Sequence, residues 1–154
     1  VQAGAYIAGS PALAGNMAYF GHYEGEFMCV DIHHGKIVWK YRDRDFPYFS
    51  SPAVTDTKVV FGGRDKRLHC LNRTDGKPIW KFQTKAKVDS SPVIAKDTVV
   101  FGSDDGRLYL VSLSDGRELW SYDLAQPITA SPAAASGRVV IGSEDGSVYC
   151  FGAE

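Results

Sequence analysis

The chain has 154 residues, of which 44% are hydrophobic and 23% are charged, which is ordinary for one globular domain with a sizeable core. Its formal net charge of -1 gives it no general electrostatic attraction for nucleic acid or for an anionic membrane. No apolar run approaches the length of a membrane span, and no signal peptide is visible after Val1. We therefore expect neither a nucleic-acid partner nor a membrane span.

Three sequence markers recur with a period of 40 or 41 residues. The prolines of four Ser-Pro pairs are Pro11, Pro52, Pro92 and Pro132. All the tryptophans of the chain fall in one phase, at Trp39, Trp80 and Trp120. Glycines that close apolar runs are Gly21, Gly62, Gly102 and Gly142. Because unrelated markers keep one period, the chain is built from four repeats.

Each repeat has the pattern of four short strands. In the second repeat the predicted strands cover residues 49–54, 58–62, 67–72 and 78–82, with turn residues such as Asp75-Gly76 between them. Runs such as Val59-Val60-Phe61 are apolar at consecutive positions, so both faces of those strands must be covered. Four-stranded units of about 40 residues, stacked face to face, predict an all-β β-propeller of antiparallel blades.

The whole chain, 1–154, is predicted to be a single propeller segment. The expected blades are 6–42, 47–83, 87–123 and 127–154, and the last lacks its outer strand. Four blades are half of an eight-bladed ring, and residues 1–5 resemble the tail of a preceding blade's outer strand. Two ways of closing the ring remain open, a homodimer with a second copy or the missing blades of a longer parent chain.

The turn and outer strand of the first three repeats carry a specific motif. In the second repeat it reads from Cys70 to Trp80 as Cys-Leu-Asn-Arg-Thr-Asp-Gly-Lys-Pro-Ile-Trp. This segment resembles the tryptophan-docking motif of the quinoprotein-like, or PQQ-like, propeller repeats, although its small first position holds Cys or Leu. The resemblance implies that a tryptophan of each blade docks on a neighbouring blade. The implied docking residues are Trp39, Trp80, Trp120, Gly35, Gly76 and Gly116.

The three cysteines lie at the motif's small position, at Cys29, Cys70 and Cys150. Their aligned positions fall on different blades, and disulfide geometry is strict. We therefore expect three reduced cysteines that serve as small core side chains. The resemblance points to an extracytoplasmic location, whereas free cysteines and the lack of a visible signal leave a cytoplasmic one open.

The resemblance also includes enzymes that hold pyrroloquinoline quinone and calcium. Those dehydrogenases stack the quinone between a tryptophan and a vicinal disulfide, but this chain has no adjacent cysteines, and its tryptophans all belong to the docking motif. Acidic pairs such as Glu144-Asp145 recur beside turn glycines and are expected to be solvated, as are His33 and His34. We therefore expect no bound quinone, calcium or other metal.

The loop between the first two repeats mixes charges with aromatic residues. Together with nearby turns, it should place seven side chains on one rim of the propeller, where a protein or peptide partner could contact them. These residues are His22, Tyr23, Arg42, Arg44, Tyr48, Arg64 and Lys66. The predicted function is a non-catalytic binding or assembly scaffold. The alternatives are a fragment of a PQQ-dependent dehydrogenase whose cofactor residues lie elsewhere and a structural accessory domain.

Overall fold

A computed structural model describes residues 1–152, and fifteen β-strands lie within that range. The first blade contains β1 (Ala12–Ala14), β2 (Met17–Gly21), β3 (Phe27–Asp31) and β4 (Lys36–Tyr41). The second contains β5 (Ala53–Val54), β6 (Lys58–Gly63), β7 (Arg67–Asn72) and β8 (Pro78–Gln83). The third contains β9 (Val93–Ala95), β10 (Thr98–Gly102), β11 (Arg107–Ser112) and β12 (Glu118–Asp123). The fourth contains β13 (Ala133–Ala135), β14 (Arg138–Gly142) and β15 (Val148–Gly152).

Each blade is a separate antiparallel sheet whose strands pair in chain order. The first three sheets have four strands, and the fourth has three within residues 1–152. The all-β propeller architecture is thus confirmed as a partial propeller of consecutive blades. Residues 153 and 154, the end of the predicted fourth blade, lie outside the described residues. No helix in the described range is long and apolar enough to cross a membrane.

The inner strands are shorter than the sequence indicates. Strand β5 covers Ala53–Val54 instead of residues 49–54. Pro52 has no amide hydrogen to donate, and the Ser51 amide donates to the Ser91 hydroxyl of the next blade at 2.8 Å. The inner edge is therefore held by contacts between blades and not by sheet pairing.

The core lies between blades. Val59, Val60 and Phe61 are all completely buried, as expected for a sheet that is covered on both faces. Phe61 stacks on Phe27 of the first blade with ring centroids 3.8 Å apart, while Val60 packs in the cluster shared with the third blade. Consecutive apolar residues therefore contribute to two different cores.

Each linker between blades sends one side chain over a glycine of the preceding blade. Tyr48 packs over Gly21, Val88 over Gly62 and Ile128 over Gly102. A Cβ atom on any of these glycines would overlap the linker side chain. The periodic glycines are thus required for close packing of neighbouring blades and form what we call the glycine slots.

Candidate functional site

One rim of the molecule is assembled from four segments that backbone hydrogen bonds join. The Tyr48 amide of the linker donates to the His22 carbonyl at 3.3 Å, and the Arg64 amide donates to the Pro47 carbonyl at 3.0 Å. The Tyr23 amide donates to the Tyr6 carbonyl at 2.8 Å. The structure therefore brings the turns after β2 and β6 against the first linker, as the sequence predicts.

The centre of this rim is a group of aromatic rings with one guanidinium, which we call the rim cluster: Tyr6, Tyr23, Phe49 and Arg64. Tyr23 stacks on Phe49 at 6.0 Å between centroids, and Tyr6 meets the same ring edge-on at 6.5 Å. The Arg64 Cζ lies 4.2 Å from the Phe49 centroid, a cation–π distance. Tyr6 and Tyr23 remain 69% and 57% exposed, so the cluster is rigidly supported but open to solvent.

Hydrogen bonds fix the guanidinium of the rim cluster. Arg64 Nε donates to Asp89 Oδ1 at 3.0 Å and its Nη2 donates to Asp89 Oδ2 at 2.8 Å. Burial raises the pKa of the Asp89 carboxyl, but the hydrogen bonds from Arg64 and Lys87 outweigh this effect and hold that pKa below its usual value. Asp89 therefore stays ionised and keeps Arg64 flat against Phe49.

Beside the cluster lies an open cleft of about 400 Å³. Tyr23, Glu24, Arg42, Asp45 and Pro47 line it. Arg42 Nη1 donates to Asp45 Oδ1 at 2.7 Å, so the polar wall carries both signs of charge. The cleft joins Tyr23 to Arg42, two of the predicted rim residues.

Two predicted rim residues are not on the surface. His22 and Tyr48 are each 1% exposed, so neither can contact a partner directly. Tyr48 fills the glycine slot over Gly21 and packs edge-on to Phe27 and Phe61. Burial also raises the pKa of its hydroxyl well above the usual range. The prediction of partner contact is wrong for both residues. Tyr48 fills the space between two blades, and His22 is buried in the turn after β2, where its carbonyl accepts from the Tyr48 amide.

The remaining predicted residues lie near the cluster but outside it. Arg44 and Lys66 are exposed, and the Lys66 carbonyl accepts the Thr84 amide, which ties its turn to the next linker. The sequence analysis did not identify Tyr6 and Phe49 as members of the rim cluster. Phe49 is detectable within the aromatic run of the linker, whereas nothing in the repeat pattern marks Tyr6.

The tryptophans contact the following blade at two of three positions. The Trp39 indole lies against Gly76, where a Cβ would be 2.6 Å from its Cε3, and its Nε1 donates to the Arg73 carbonyl at 3.0 Å. Trp80 repeats these contacts with Gly116 and the Leu113 carbonyl. Trp120 is instead 39% exposed, and the Cα of Gly35 faces open space.

The cysteines are free, but they do not share one environment. Cys29 and Cys70 are buried, as predicted, and burial raises the pKa of the Cys70 thiol to about 12. Cys150 is exposed, so the expectation that all three lie inside the stack is wrong for this residue. It lies on the face of the fourth blade that no further blade covers within residues 1–152.

A buried polar group beneath the rim is the candidate metal site found among the described residues. Asp43, Asp65 and His69 place ligand atoms within 4.8 Å of one another. Arg67 and Lys81 donate to the two oxygens of Asp43 at 2.8 and 2.6 Å, and His69 Nε2 lies 3.1 Å from Asp65 Oδ1. Since these cations already neutralise Asp43, and calcium requires six to eight oxygen ligands, the group does not fit calcium.

The repeat explains this group as structural. In the third and fourth blades, the equivalent Asp105 and Asp145 accept hydrogen bonds from Tyr109 and Tyr149 four residues later. His69 takes the place of the tyrosine in the second blade.

The surroundings of the tryptophans do not fit a stacked quinone, just as the Asp43 group does not fit calcium. Trp39 and Trp80 already lie against glycine turns, and the buried cysteines are on separate blades.

Comparisons with known proteins agree with this architecture. The family described as outer membrane protein assembly factor BamB matches residues 43–154. No curated protein matches the chain. BamB from Moraxella catarrhalis is 18% identical with a TM-score of 0.87, and the alignment covers 99% of this chain and 51% of that one. The chain thus spans about half the length of that structure.

Two further solved structures share the fold. The computationally designed Ika4 protein is 20% identical with a TM-score of 0.88, and the alignment covers 98% of this chain and 93% of that one. Quinohemoprotein alcohol dehydrogenase from Comamonas testosteroni is 15% identical with a TM-score of 0.77, over 90% of this chain and 29% of that one. With the periodic motif, the blade geometry and the family match over residues 43–154, the chain belongs to the PQQ-like, BamB-type family of β-propeller repeats.

Proposed function

We propose that this chain is a non-catalytic scaffold that binds a protein or peptide partner through the rim cluster and the adjoining cleft. The observation that carries the proposal is the pair of exposed rings, Tyr6 and Tyr23, which contact the half-buried Phe49, with Arg64 fixed against that ring. Tyrosine and arginine that are held in place before binding lose little conformational entropy, and they dominate the energetics of protein interfaces.

A peptide selection tests this proposal. Peptides are selected from a displayed library on the wild-type chain, and their affinities are measured by fluorescence anisotropy. The double variant Tyr23→Ala/Phe49→Ala should weaken binding by tenfold or more, since loss of one hot-spot residue costs about 2 kcal/mol or more.

The matched control is Tyr122→Ala, which removes an aromatic side chain that is 47% exposed on the third blade. It should leave the peptide affinity unchanged. Selected peptides that bind the double variant as tightly as wild type, or that lose affinity only in the control, would contradict the rim as the binding site.

We also propose that the chain binds neither pyrroloquinoline quinone nor calcium. The support is the engagement of Trp39 and Trp80 by glycine turns and of Asp43 by two cations. Titration with both ligands should give no stoichiometric change in absorbance or tryptophan fluorescence. A calcium-dependent change that saturates at one equivalent would favour the dehydrogenase-fragment alternative.

The outer face of the fourth blade forms part of the proposed assembly role. Val140 is 39% exposed, whereas the equivalent Val60 and Val100 are at most 1% exposed. Val148 is 74% exposed, whereas the equivalent Leu108 is completely buried. Such an apolar face favours association, and we propose that further blades cover it, from a second copy or from a longer chain.

A further inference from the structure

The three aromatic rings of the rim cluster form an angled surface, which we call the aromatic notch. Phe49 is half-buried, whereas Tyr6 and Tyr23 are 69% and 57% exposed. The Tyr6 plane makes 80° with the Phe49 plane and the Tyr23 plane makes 30°, so the two tyrosine planes are inclined to each other by at least 50°. The notch therefore presents flat apolar faces in different directions.

The notch is short. The Tyr6 and Tyr23 centroids lie 6.5 Å and 6.0 Å from the Phe49 centroid, so they are at most 12.5 Å apart. A peptide in the polyproline II conformation rises about 3.1 Å per residue and has three residues per turn, so its side chains repeat about every 9 Å. Two side chains one turn apart on such a peptide are thus spaced to contact both tyrosines.

The backbone of the rim does not favour a partner that adds a strand. The amides of Tyr23, Tyr48 and Arg64 already donate to carbonyls of the same rim. Strand addition requires a row of free amides and carbonyls along a sheet edge. Recognition at the notch therefore depends on side chains.

The charged groups beside the notch are already paired. Arg64 donates through Nε and Nη2 to Asp89, and Arg42 Nη1 donates to Asp45. An acidic or phosphorylated partner would have to compete with these carboxylates for the guanidinium groups. A cationic side chain on the Phe49 ring would be repelled by the guanidinium that lies 4.2 Å from its centroid. The ligand that fits is consequently neutral and apolar.

Proline meets these conditions. Its ring is compact, and its nitrogen has no hydrogen that would need a partner. Polyproline II is preformed, so it loses little conformational entropy on binding, and its solvated carbonyls can accept from the tyrosine hydroxyls. An amphipathic helix needs a continuous apolar groove, whereas the cleft beside Tyr23 has the charged pair of Arg42 and Asp45 on its wall.

We propose that the partner of the rim is a proline-rich segment in the polyproline II conformation, with two prolines one turn apart on Tyr6 and Tyr23. This inference rests on the proposed binding role of the rim cluster and names the chemical class of its partner. The tyrosine rings supply the apolar contact, and their hydroxyls donate to carbonyls of the peptide.

The peptides selected on the wild-type chain test the identity of the partner. Their sequences should be enriched in Pro-x-x-Pro, and replacement of either proline by alanine should weaken binding by tenfold or more in fluorescence anisotropy. As the matched control, alanine at an intervening position should change the affinity by less than about twofold. Because the contact is neutral, the affinity should also change by less than about twofold between about 0.05 and 0.5 M sodium chloride.

Protein variants locate the contact. Tyr23→Ala should weaken the selected peptides by tenfold or more with unchanged circular dichroism, and Tyr122→Ala should bind them like wild type. Tyr23→Phe keeps the ring and removes the hydroxyl, so its affinity should lie between those of wild type and Tyr23→Ala.

The outcomes separate this inference from the rim proposal. Selected peptides that depend on Tyr23 but lack proline, or whose prolines tolerate alanine, would overturn the proline-rich partner and leave the rim as a binding site. Selected peptides that bind Tyr23→Ala as tightly as wild type would overturn both.

Discussion

Trp80 and Trp120 occupy the same repeat position in different surroundings. Trp80 is 9% exposed, lies against Gly116 and donates its Nε1 hydrogen to a carbonyl of the next blade. Trp120 is 39% exposed and stacks on Tyr122 of its own strand. The contribution of the indole to folding therefore depends on whether a following blade covers it.

Replacement of these two residues by alanine should show this difference. Trp80→Ala should reduce the free energy of unfolding by about 3–5 kcal/mol, since it leaves a cavity between blades and an unpaired carbonyl. Trp120→Ala should reduce the free energy of unfolding by less than half of that amount. Denaturant titration measures both values, and equal losses would contradict a role for the contact with Gly116.

Thiol reactivity should separate the three cysteines. Cys150 should react with a bulky thiol reagent in the folded protein, because it is exposed. Cys29 and Cys70 should react only on unfolding, because burial excludes the reagent and raises their pKa values, that of Cys70 to about 12. One thiol should therefore react fast and two slowly. The Cys70→Ser variant retains Cys29 and Cys150, and fast reaction of both would contradict the burial of Cys29.

At the scale of elements, the second and third blades are linked by the ionised Asp89 carboxylate. It accepts from Arg64 of the second blade, and Lys87 Nζ donates to it at 2.9 Å. A carboxyl whose pKa is depressed in the folded state stabilises the fold above its ordinary pKa, and that stability is lost as pH falls through the folded-state pKa.

Asp89→Asn should therefore lower the free energy of unfolding by about 1.5–3 kcal/mol at neutral pH, the range for hydrogen bonds to charged groups. Wild type should lose stability more steeply than the variant does as the pH falls below 3.8, the ordinary pKa of an aspartate side chain. The exposed Asp56→Asn serves as the control and should change the stability little. Parallel pH profiles for wild type and Asp89→Asn would show that the depressed pKa does not stabilise the fold.

The sequence predicts the middle strands better than the inner ones. Strand β7 (Arg67–Asn72) agrees with its predicted limits because alternating contacts with two cores fix its apolar pattern. The predicted inner strand begins too early, since the partner of the Ser51 amide is 40 residues away. The sequence places Tyr48 in the rim loop but does not reveal that it fills the slot over Gly21. That contact depends on how two blades pack together, which the pattern of one repeat does not show.

For the whole molecule, the repeat period defines the blades but not which faces are open. Cys150 shares its repeat position with Cys70, and only the neighbouring blade makes one buried and the other exposed. The rim illustrates the same limit, because Tyr6 contacts Phe49 of the next linker, whereas the equivalent repeat positions hold Pro47, Lys87 and Pro127. Stability in such a stack is a sum of blade and junction contributions. The local stability should therefore be lowest in the fourth blade, which has three strands and one neighbouring blade within residues 1–152.

Hydrogen exchange should reveal that gradient at one strand edge. In the second and third blades, the edges of β7 and β11 pair with β8 and β12, whereas β15 pairs only with β14 within residues 1–152. Amides of β15 that point away from β14 should exchange much faster than the equivalent amides of β7 and β11, because they have no cross-strand acceptor. Nuclear magnetic resonance resolves the individual amides, and equal protection of β15 and β11 would mean that another strand covers this edge.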